Sequence, residues 1–194
     1  MKKKNITNIN NKIKNKAGES MCRINPKVDF AFKKLFGSEE NKDILIAFIN
    51  AILSEEQKIK DIILKNPYNI ANYKEDKMSI LDIKAVDENG VWYDIEMQMS
   101  EQAFYEKRAF YYWARVFADQ MEGGRDYDKL RKTISINILN FNYLDEEECH
   151  NTYKVFNEKS KKEFSNYFEM HFIELSKFNQ YKSSFVYSNK WRNL

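Results

Sequence analysis

Cysteine is scarce in this sequence, which limits the kinds of site that the chain can hold. Among 194 residues only Cys22 and Cys149 are cysteines, and their spacing indicates no disulfide framework. His150 follows Cys149, but the only other histidine is His171. The set of about four close ligands that structural zinc requires is therefore missing. We therefore expect neither a zinc site nor a disulfide, and we expect the protein to be located in a reducing compartment.

Long apolar runs and an excess of charge of one sign are also missing. No segment is long and apolar enough for a membrane span or a secretion signal, which predicts a soluble, cytoplasmic protein. Lysine and arginine number 32 against 29 acidic residues, for a formal net charge of +3. Attraction to nucleic acid would therefore require a local basic patch. Gly123 and Gly124 lack the flanking residues of a nucleotide loop, so no organic cofactor is indicated.

The composition is sufficient for one globular domain, which lies between a basic N-terminal tail and a short C-terminal segment. Hydrophobic residues make up 43% of the chain, enough for a single core of ordinary size. Residues 1–22 are rich in Asn and Lys without a period, which predicts a disordered basic tail. We assign the domain to residues 23–180. Residues 181–194 begin a helical pattern that soon stops, which predicts a shortened C-terminal segment.

The order of the periodic segments predicts an α/β fold. Two amphipathic helices come first, one from Lys27 to Gly37 and one after the N-cap Ser38. A strand begins near Ile59, two alternating runs follow, and a long helix begins at Ser100. A buried strand after that helix is predicted to lie parallel to an earlier strand, and two more strands follow. Together these segments predict a mixed sheet flanked by helices.

Two of the predicted helices carry apolar stripes that we expect in the core. In the helix after Ser38 the stripe contains Ile44, Ile46, Phe48, Ile49, Ile52 and Leu53. In the helix after Ser100 it contains Ala103, Phe110, Ala114, Phe117, Ala118 and Met121. A second stripe on that helix holds Tyr105, Arg108, Tyr112 and Arg115.

The two alternating runs predict a hairpin, and its turn fixes the register. A loop of Glu88, Asn89 and Gly90, with Gly90 in the left-handed conformation, places Ala85 opposite Tyr93 on an apolar face. A two-residue loop would bring carboxylates into the core. The same register collects polar residues on the other face, where Lys84 opposes Asp94, Asp82 opposes Glu96, and Gln98 lies beyond them.

The polar face has two interpretations that the residues alone leave open. Directly opposed side chains have Cβ atoms roughly 4.5 to 5.5 Å apart, so Asp82 and Glu96 would repel each other unless a cation lay between them. A hard cation such as Mg²⁺ takes carboxylate oxygens as ligands. Alternatively, the face is a solvated edge on which Lys84 relieves the repulsion through an ion pair with Asp94.

The sequence resembles the PD-(D/E)XK nuclease superfamily, and within it the recombination-promoting nuclease (Rpn) and transposase family. In the superfamily one strand of a hairpin carries Asp and the next carries (D/E)-x-K. Asp82 and Glu96-Met97-Gln98 occupy those places, with Gln98 replacing the Lys. The resemblance extends over residues 24–178, through "VDFAFKKLFGSEENKDILIAFINAIL", "LDIKAVDENGVWYDIEMQ", "KRAFYYWARVFADQMEGGRDYDKLRKTISINIL" and "HFIELSKF".

This resemblance implies a restriction-endonuclease-like core and Mg²⁺-dependent hydrolysis of DNA, with Mn²⁺ as a substitute, in recombination or transposition. Asp82 and Glu96 would hold the metal, and Gln98 would orient the attacking water. Lys84 is our candidate for the missing ammonium. The implied substrate-binding residues are Lys33, Arg108 and Tyr112. A catalytically inactive module that binds DNA or a full-length homologue is the alternative, and self-association remains open.

Overall fold

The computed structural model describes residues 29–65, 83–121 and 127–179. Its helices are α1 (Asp29–Phe36), α2 (Lys42–Ile52) and α3 (Tyr105–Ala118). Its strands are β1 (Ile62–Leu64), β2 (Ile83–Asp87), β3 (Trp92–Gln98), β4 (Thr133–Leu139), β5 (His150–Phe156) and β6 (Glu163–Glu174). Single 3₁₀ turns occupy Glu39–Asn41, Glu55–Gln57, Tyr127–Lys129 and Lys177–Asn179. The predicted tail, the C-terminal segment and Gly123-Gly124 lie outside the described residues.

The described strands form one mixed sheet, which confirms the predicted fold class. They are arranged in the order β1-β2-β3-β4-β6-β5. The pairs β1–β2, β2–β3 and β5–β6 are antiparallel, whereas β3–β4 and β4–β6 are parallel. Helix α3 provides the crossover between β3 and β4, as parallel neighbours require. None of the described helices has the length and apolar character to cross a membrane.

The register of the β2–β3 hairpin is the one predicted from its turn. Ile83 pairs with Ile95, Lys84 with Asp94, and Ala85 with Tyr93. The turn closes through hydrogen bonds between Asp87 and the residues after it, including one from the Gly90 N–H to the Asp87 carbonyl at 3.1 Å. Gly90 has φ of 79°, the left-handed conformation that the three-residue loop requires.

The Asp87 side chain holds this turn in a way that the sequence pattern did not reveal. Its Oδ1 accepts hydrogen bonds from the backbone N–H groups of Asn89 and Val91, at 2.8 and 2.9 Å. Its Oδ2 accepts one from the Tyr93 hydroxyl at 3.0 Å. Burial of Tyr93, and next the negative charge of Asp87, raise the pKa of that hydroxyl well above its ordinary value, so it remains a donor.

Gly90→Ala is expected to destabilise the domain by about 1 kcal/mol, because a Cβ disfavours the left-handed conformation. The nearest atom to an added Cβ is Cγ of Arg131 at 3.6 Å, so the cost comes from the backbone rather than from a clash. Urea denaturation measures the change in the free energy of unfolding. Gly90→Asn is the control, since Asn tolerates this conformation, and it should cost less than Gly90→Ala. Equal costs would contradict the backbone explanation.

Each face of the sheet packs against a different set of helices. Alternate residues of β3 and β4 join α1 and α2 in one cluster, which includes Phe32, Leu45, Ile49, Tyr93, Ile95, Ile134 and Ile136. On the other face, α3 packs on β4 and β6 through Tyr105, Ala109, Leu139, Phe168, Met170 and Phe172. Because strand side chains alternate, Asp94, Glu96 and Gln98 lie on the α3 face.

Helix α3 differs from the prediction in both its start and its buried stripe. It begins at Tyr105 rather than after Ser100, since Phe104 adopts the left-handed conformation with φ of 59° as the chain reverses from β3. The buried residues are Tyr105, Ala109, Tyr112 and Val116. Phe110, which we expected in the core, is 55% exposed. The Phe110 ring stacks on Phe168 at a centroid distance of 5.7 Å but remains half exposed, whereas the tyrosine hydroxyls of the covered stripe form hydrogen bonds with Asn137 and Arg108.

Candidate active site

Three alternate positions of β3, on the face that α3 covers, carry buried polar side chains. Asp94, Glu96 and Gln98 are 0%, 2% and 9% exposed. They are buried because β3 lies between β2 and β4 and α3 covers this face. Burial of a carboxylate is costly unless hydrogen bonds, opposite charges or a cation compensate for its lost hydration. These residues therefore do not form the solvated edge of the second interpretation.

Glu96 and Gln98 are connected to each other and to a residue that the sequence pattern did not indicate. The Gln98 side-chain Nε2 donates to Oε2 of Glu96 at 3.3 Å. The Gln102 Nε2 donates to Oε1 of Gln98 at 3.0 Å. With its oxygen occupied by Gln102, the Gln98 amide directs its N–H groups toward Glu96 and its surroundings. Gln102 lies in the reversal before α3, where no periodicity could identify it.

The neighbouring strand β4 continues the polar face. The Ser135 hydroxyl donates to Oδ2 of Asp94 at 3.3 Å, and Nδ2 of Asn137 donates to Ser135 Oγ at 3.1 Å. The Tyr105 hydroxyl donates to Oδ1 of Asn137 at 2.9 Å. This chain links β3 and β4 to the first turn of α3. Its only sequence signal was the alternation of Ser135 and Asn137 with isoleucines in a strand that we predicted as mostly buried.

Lys84 is held at the other end of the same face. It opposes Asp94 in the predicted register. Its Nζ forms an ion pair with Oδ2 of Asp119, just beyond α3, at 2.9 Å. The same Nζ lies 5.1 Å from the ring centroid of Trp92, which suits a cation–π contact. The ammonium of Lys84 thus has a defined place on the site face.

Arg108 and Tyr112 belong to the helix stripe that ends near Lys84. Positions 108, 112, 115 and 119 share one side of a helix, and Asp119 contacts Lys84 of β2. This stripe therefore faces the hairpin side of the sheet. Tyr105, three residues before Arg108, reaches Asn137, which pairs with Glu96 in the β3–β4 register, so Arg108 follows the turn of α3 that contacts the Glu96 level of the sheet.

The Arg108 guanidinium packs on Tyr112 rather than on an acid. Its Nη2 donates to the Tyr112 hydroxyl at 2.9 Å, and its Cζ lies 5.5 Å from the ring centroid. Within the described residues no carboxylate forms an ion pair with Arg108. A half-buried guanidinium oriented by an aromatic ring can bind a phosphate through two parallel hydrogen bonds.

For two of the predicted site residues, a place in the site remains a prediction. Asp82 lies outside the described residues, so its pairing with Glu96 remains a prediction. Within those residues no group of three His, Cys, Asp or Glu side chains is placed to hold a metal ion. Lys33 lies in the last turn of α1, and Phe32 of that helix packs on the opposite face of the sheet. Its role in substrate binding also remains a prediction.

A protein family model matches most of the chain. The family model described as PD-(D/E)XK nuclease family transposase matches residues 26–194. Comparisons with curated proteins and with solved structures find no match. The matched residues contain the whole sheet, the polar face of β3 and helix α3. The mixed sheet with flanking helices agrees with the restriction-endonuclease-like fold expected from the resemblance.

Proposed function

Because the chain belongs to the PD-(D/E)XK nuclease family transposases, we propose that it is a Mg²⁺-dependent DNA endonuclease that acts in transposition or recombination. The observation that carries this proposal is the Glu96 carboxylate, 2% exposed and hydrogen-bonded by Gln98 on the face under α3. Buried carboxylate oxygens beside amide groups are suitable ligands for a hard divalent cation. Mn²⁺ should be able to replace Mg²⁺.

The residues have separate roles in this proposal. Asp82 and Glu96 would hold the ion, which when bound polarises the scissile phosphate and lowers the pKa of a coordinated water. Gln98 donates an N–H group that can orient the attacking water, although an amide supplies no positive charge. Lys84 supplies positive charge on the same face. Arg108, supported by the Tyr112 ring, binds a phosphate oxygen of the DNA backbone.

A second candidate function is a catalytically inactive module that binds DNA or a full-length homologue. Two observations favour it. Gln98 carries no charge where the superfamily has lysine, and the Lys84 ammonium already forms an ion pair with Asp119 at 2.9 Å. In this case the polar face would retain DNA contacts without hydrolysis, in a monomer or in a homo-oligomer.

Incubation with supercoiled plasmid separates these candidates. The purified chain is assayed with Mg²⁺, with Mn²⁺ and with EDTA, beside the Asp82→Ala and Glu96→Ala variants. Cleavage that requires the cation and is lost in both variants supports the endonuclease. DNA binding without cleavage, weakening steeply with salt as phosphate contacts require, supports the inactive module. Cleavage that persists in both variants would identify a contaminating nuclease.

Gln102→Leu is expected to lower kcat about tenfold with little change in KM for DNA. Without the Gln102 donor, Oε1 of Gln98 loses its partner at 3.0 Å and the amide can rotate away from its donating orientation. A tenfold loss corresponds to about 1.4 kcal/mol, the order of one hydrogen bond. Steady-state cleavage of a fluorescent duplex gives both constants.

Two further substitutions test whether orientation is the cause. Gln102→Lys keeps an N–H donor for Gln98 and should retain most of the activity. Gln102→Glu presents an acceptor to Oε1 of Gln98 and should be at least as damaging as leucine at pH 7. If all three variants keep wild-type kcat, Gln102 does not position Gln98.

A further inference from the structure

Strands β5 and β6 continue beyond the rest of the sheet as a two-stranded ribbon. The pairing of β4 with β6 starts at Thr133 and Phe168, so the residues of β6 before Phe168 have only β5 as a neighbour. We call residues 155–167 the β5–β6 ribbon. The register shifts between Tyr153 and Val155, which is the kind of irregularity that bends a strand away from its sheet.

The tip of the ribbon is an ordered turn organised by Asn157. Its Oδ1 accepts hydrogen bonds from the backbone N–H groups of Lys159 and Ser160, at 3.1 and 2.8 Å. Its backbone N–H donates to the Lys162 carbonyl at 2.8 Å, and its carbonyl accepts from the Lys161 N–H at 2.9 Å. The tip therefore presents its side chains in a defined arrangement.

Lys161 occupies a conformation that its residue type disfavours. Its φ is 55°, in the left-handed region where Gly or Asn is the ordinary choice. A lysine at such a position, in a turn whose hydrogen bonds use only the backbone of that residue, gives the fold no evident benefit. A residue held against its conformational preference calls for a functional explanation.

The tip is basic and its ammonium groups are available. Lys159, Lys161 and Lys162 are exposed, and none of them forms an ion pair with another residue of the described ranges. Lys154 is different, since it lies 3.6 Å from Glu169 and 3.9 Å from Glu163. Glu158 and Glu163 reduce the local charge but leave an excess of lysine.

Aromatic side chains flank the lysines without a cover. Phe164 is 82% exposed and Phe156 is 51% exposed, both on the ribbon next to the basic tip. Exposed lysines beside apolar rings suit a nucleic acid, since the lysines can bind its phosphates and the rings can contact its bases. It suits another protein less well unless that protein is acidic.

We propose that the β5–β6 ribbon is a second DNA contact, in which the tip lysines bind backbone phosphates away from the cleavage site. This inference rests on the proposed function, because DNA is the partner that the family implies. A two-stranded ribbon fits the major groove, which is about 12 Å wide. Sequence-independent phosphate contacts of this kind add affinity without reading bases.

The distance between the ribbon and the site determines how long the DNA must be. Glu96, Asn137 and Phe172 lie at the same level of the sheet. At the strand rise of about 3.3 Å per residue, the ribbon residue Glu163 is about 30 Å from that level. This corresponds to about nine base pairs of duplex on one side of the site. A duplex of about 12 base pairs centred on the site extends about six base pairs, or about 20 Å, to each side and should therefore miss the ribbon tip, whereas one of about 30 base pairs reaches it.

The test compares binding of duplexes of about 12 and about 30 base pairs by fluorescence anisotropy, in EDTA and over a range of salt concentrations. The tip variant is Lys159→Ser with Lys161→Gly and Lys162→Ser. The matched control removes the same charge from exposed lysines of the α1, Glu55–Gln57 and β1 region, as Lys34→Ser with Lys58→Ser and Lys60→Ser. Lys161→Gly alone also separates charge from folding, since glycine suits this φ and its Tm should not fall.

For the long duplex, the tip variant should bind at least about tenfold more weakly than the wild type. The slope of the logarithm of its binding constant against the logarithm of the salt concentration should be smaller in magnitude by about 2 to 3. For the short duplex, its affinity should stay within about twofold of the control. If the tip variant and the control bind the long duplex alike, the ribbon inference is wrong, whether or not the wild type cleaves DNA. If the wild type has no affinity for DNA at all, the ribbon inference, the endonuclease and the DNA-binding form of the inactive module are all wrong, and only the homologue-binding form survives.

Two other outcomes distinguish the ribbon from the site. Reduced binding by the tip variant in a protein that never cleaves plasmid supports the ribbon and contradicts the endonuclease. A change in sedimentation of the tip variant, with unchanged DNA affinity, contradicts the DNA contact and assigns the ribbon to self-association.

Discussion

Glu96→Gln is expected to reduce DNA cleavage by about 10³-fold or more while the domain remains folded. Glutamine keeps the shape of the side chain and an oxygen for the Gln98 donor at 3.3 Å, but it removes the negative charge that would hold a divalent cation. A metal ion contributes several kcal/mol to the stabilisation of a phosphoryl transition state, and each 1.36 kcal/mol is a factor of ten. The rate of nicking of supercoiled plasmid gives the change.

The matched control is Glu101→Gln, which removes the same charge from an exposed position just after β3. It should retain the wild-type rate, and thermal unfolding should show that both variants are folded. Raising the Mg²⁺ or Mn²⁺ concentration should recover part of the loss in Glu96→Gln if the defect is weakened metal binding. Full activity in Glu96→Gln would contradict the placement of the active site on this face.

Glu169→Gln is expected to reduce the free energy of unfolding by about 3 kcal/mol at pH 7. Glu169 is 1% exposed and accepts hydrogen bonds from three side chains: Lys132 Nζ at 2.6 Å, His171 Nε2 at 2.8 Å and Gln57 Nε2 at 3.0 Å. Removal of one partner of a buried ion pair leaves the other charge uncompensated, which costs about 3 to 5 kcal/mol. The amide keeps some of the hydrogen bonds, so we expect the lower end.

The free energy of unfolding lost in Glu169→Gln should be larger at neutral pH than in acid. Burial alone would raise the pKa of the Glu169 carboxyl, but hydrogen bonds from His171 and Lys132 and the Lys132 charge outweigh it and hold that pKa well below its ordinary value. Its stabilising contribution is therefore fully present above the unfolded-state pKa of about 4.3 and is lost as pH falls through the folded-state pKa. The difference between wild type and Glu169→Gln should narrow below about pH 4.

Denaturant titrations at pH 7, 5 and 3.5 measure this effect. Glu158→Gln, at an exposed position of the same hairpin, should change the free energy of unfolding by less than about 0.5 kcal/mol at each pH. Parallel pH curves for wild type and Glu169→Gln would show that the carboxylate charge does not stabilise the fold. Because Glu169 and Glu96 lie on opposite faces of the sheet, Glu169→Gln should leave cleavage at low temperature nearly unchanged.

The sequence by itself determined the features that depend on neighbouring residues. The β2–β3 register followed from the two-residue period of the strands and from Gly90, whose left-handed conformation a three-residue loop requires. The element order was sufficient to predict the mixed sheet. Both depend on local chemistry, so no knowledge of distant contacts was needed. The family motif then placed Asp82, Glu96 and Gln98 in one proposed site, and the role of each of the three remains a prediction.

The buried face of each helix was harder to predict, because more than one stripe along the helix contains apolar residues. On α2, Leu45 is buried and Ile44 is 39% exposed, although we expected Ile44 in the core. On α3, the stripe with Tyr105 and Tyr112 is buried and Phe110 is exposed. The choice depends on where the surface lies against which each helix packs, and hydrophobic periodicity contains no information about the position of that surface.

Only the tertiary structure decided which other side chains lie beside the proposed site residues. Asp119 reaches Lys84 across 35 positions of the chain, and Tyr105 reaches Asn137 across 32. Such contacts arise when the crossover helix settles over the parallel strands, and neither partner carries a local signal of the other. The same folding buries Glu96 under α3, and the cost of burying a carboxylate there is what makes this strand face the candidate site.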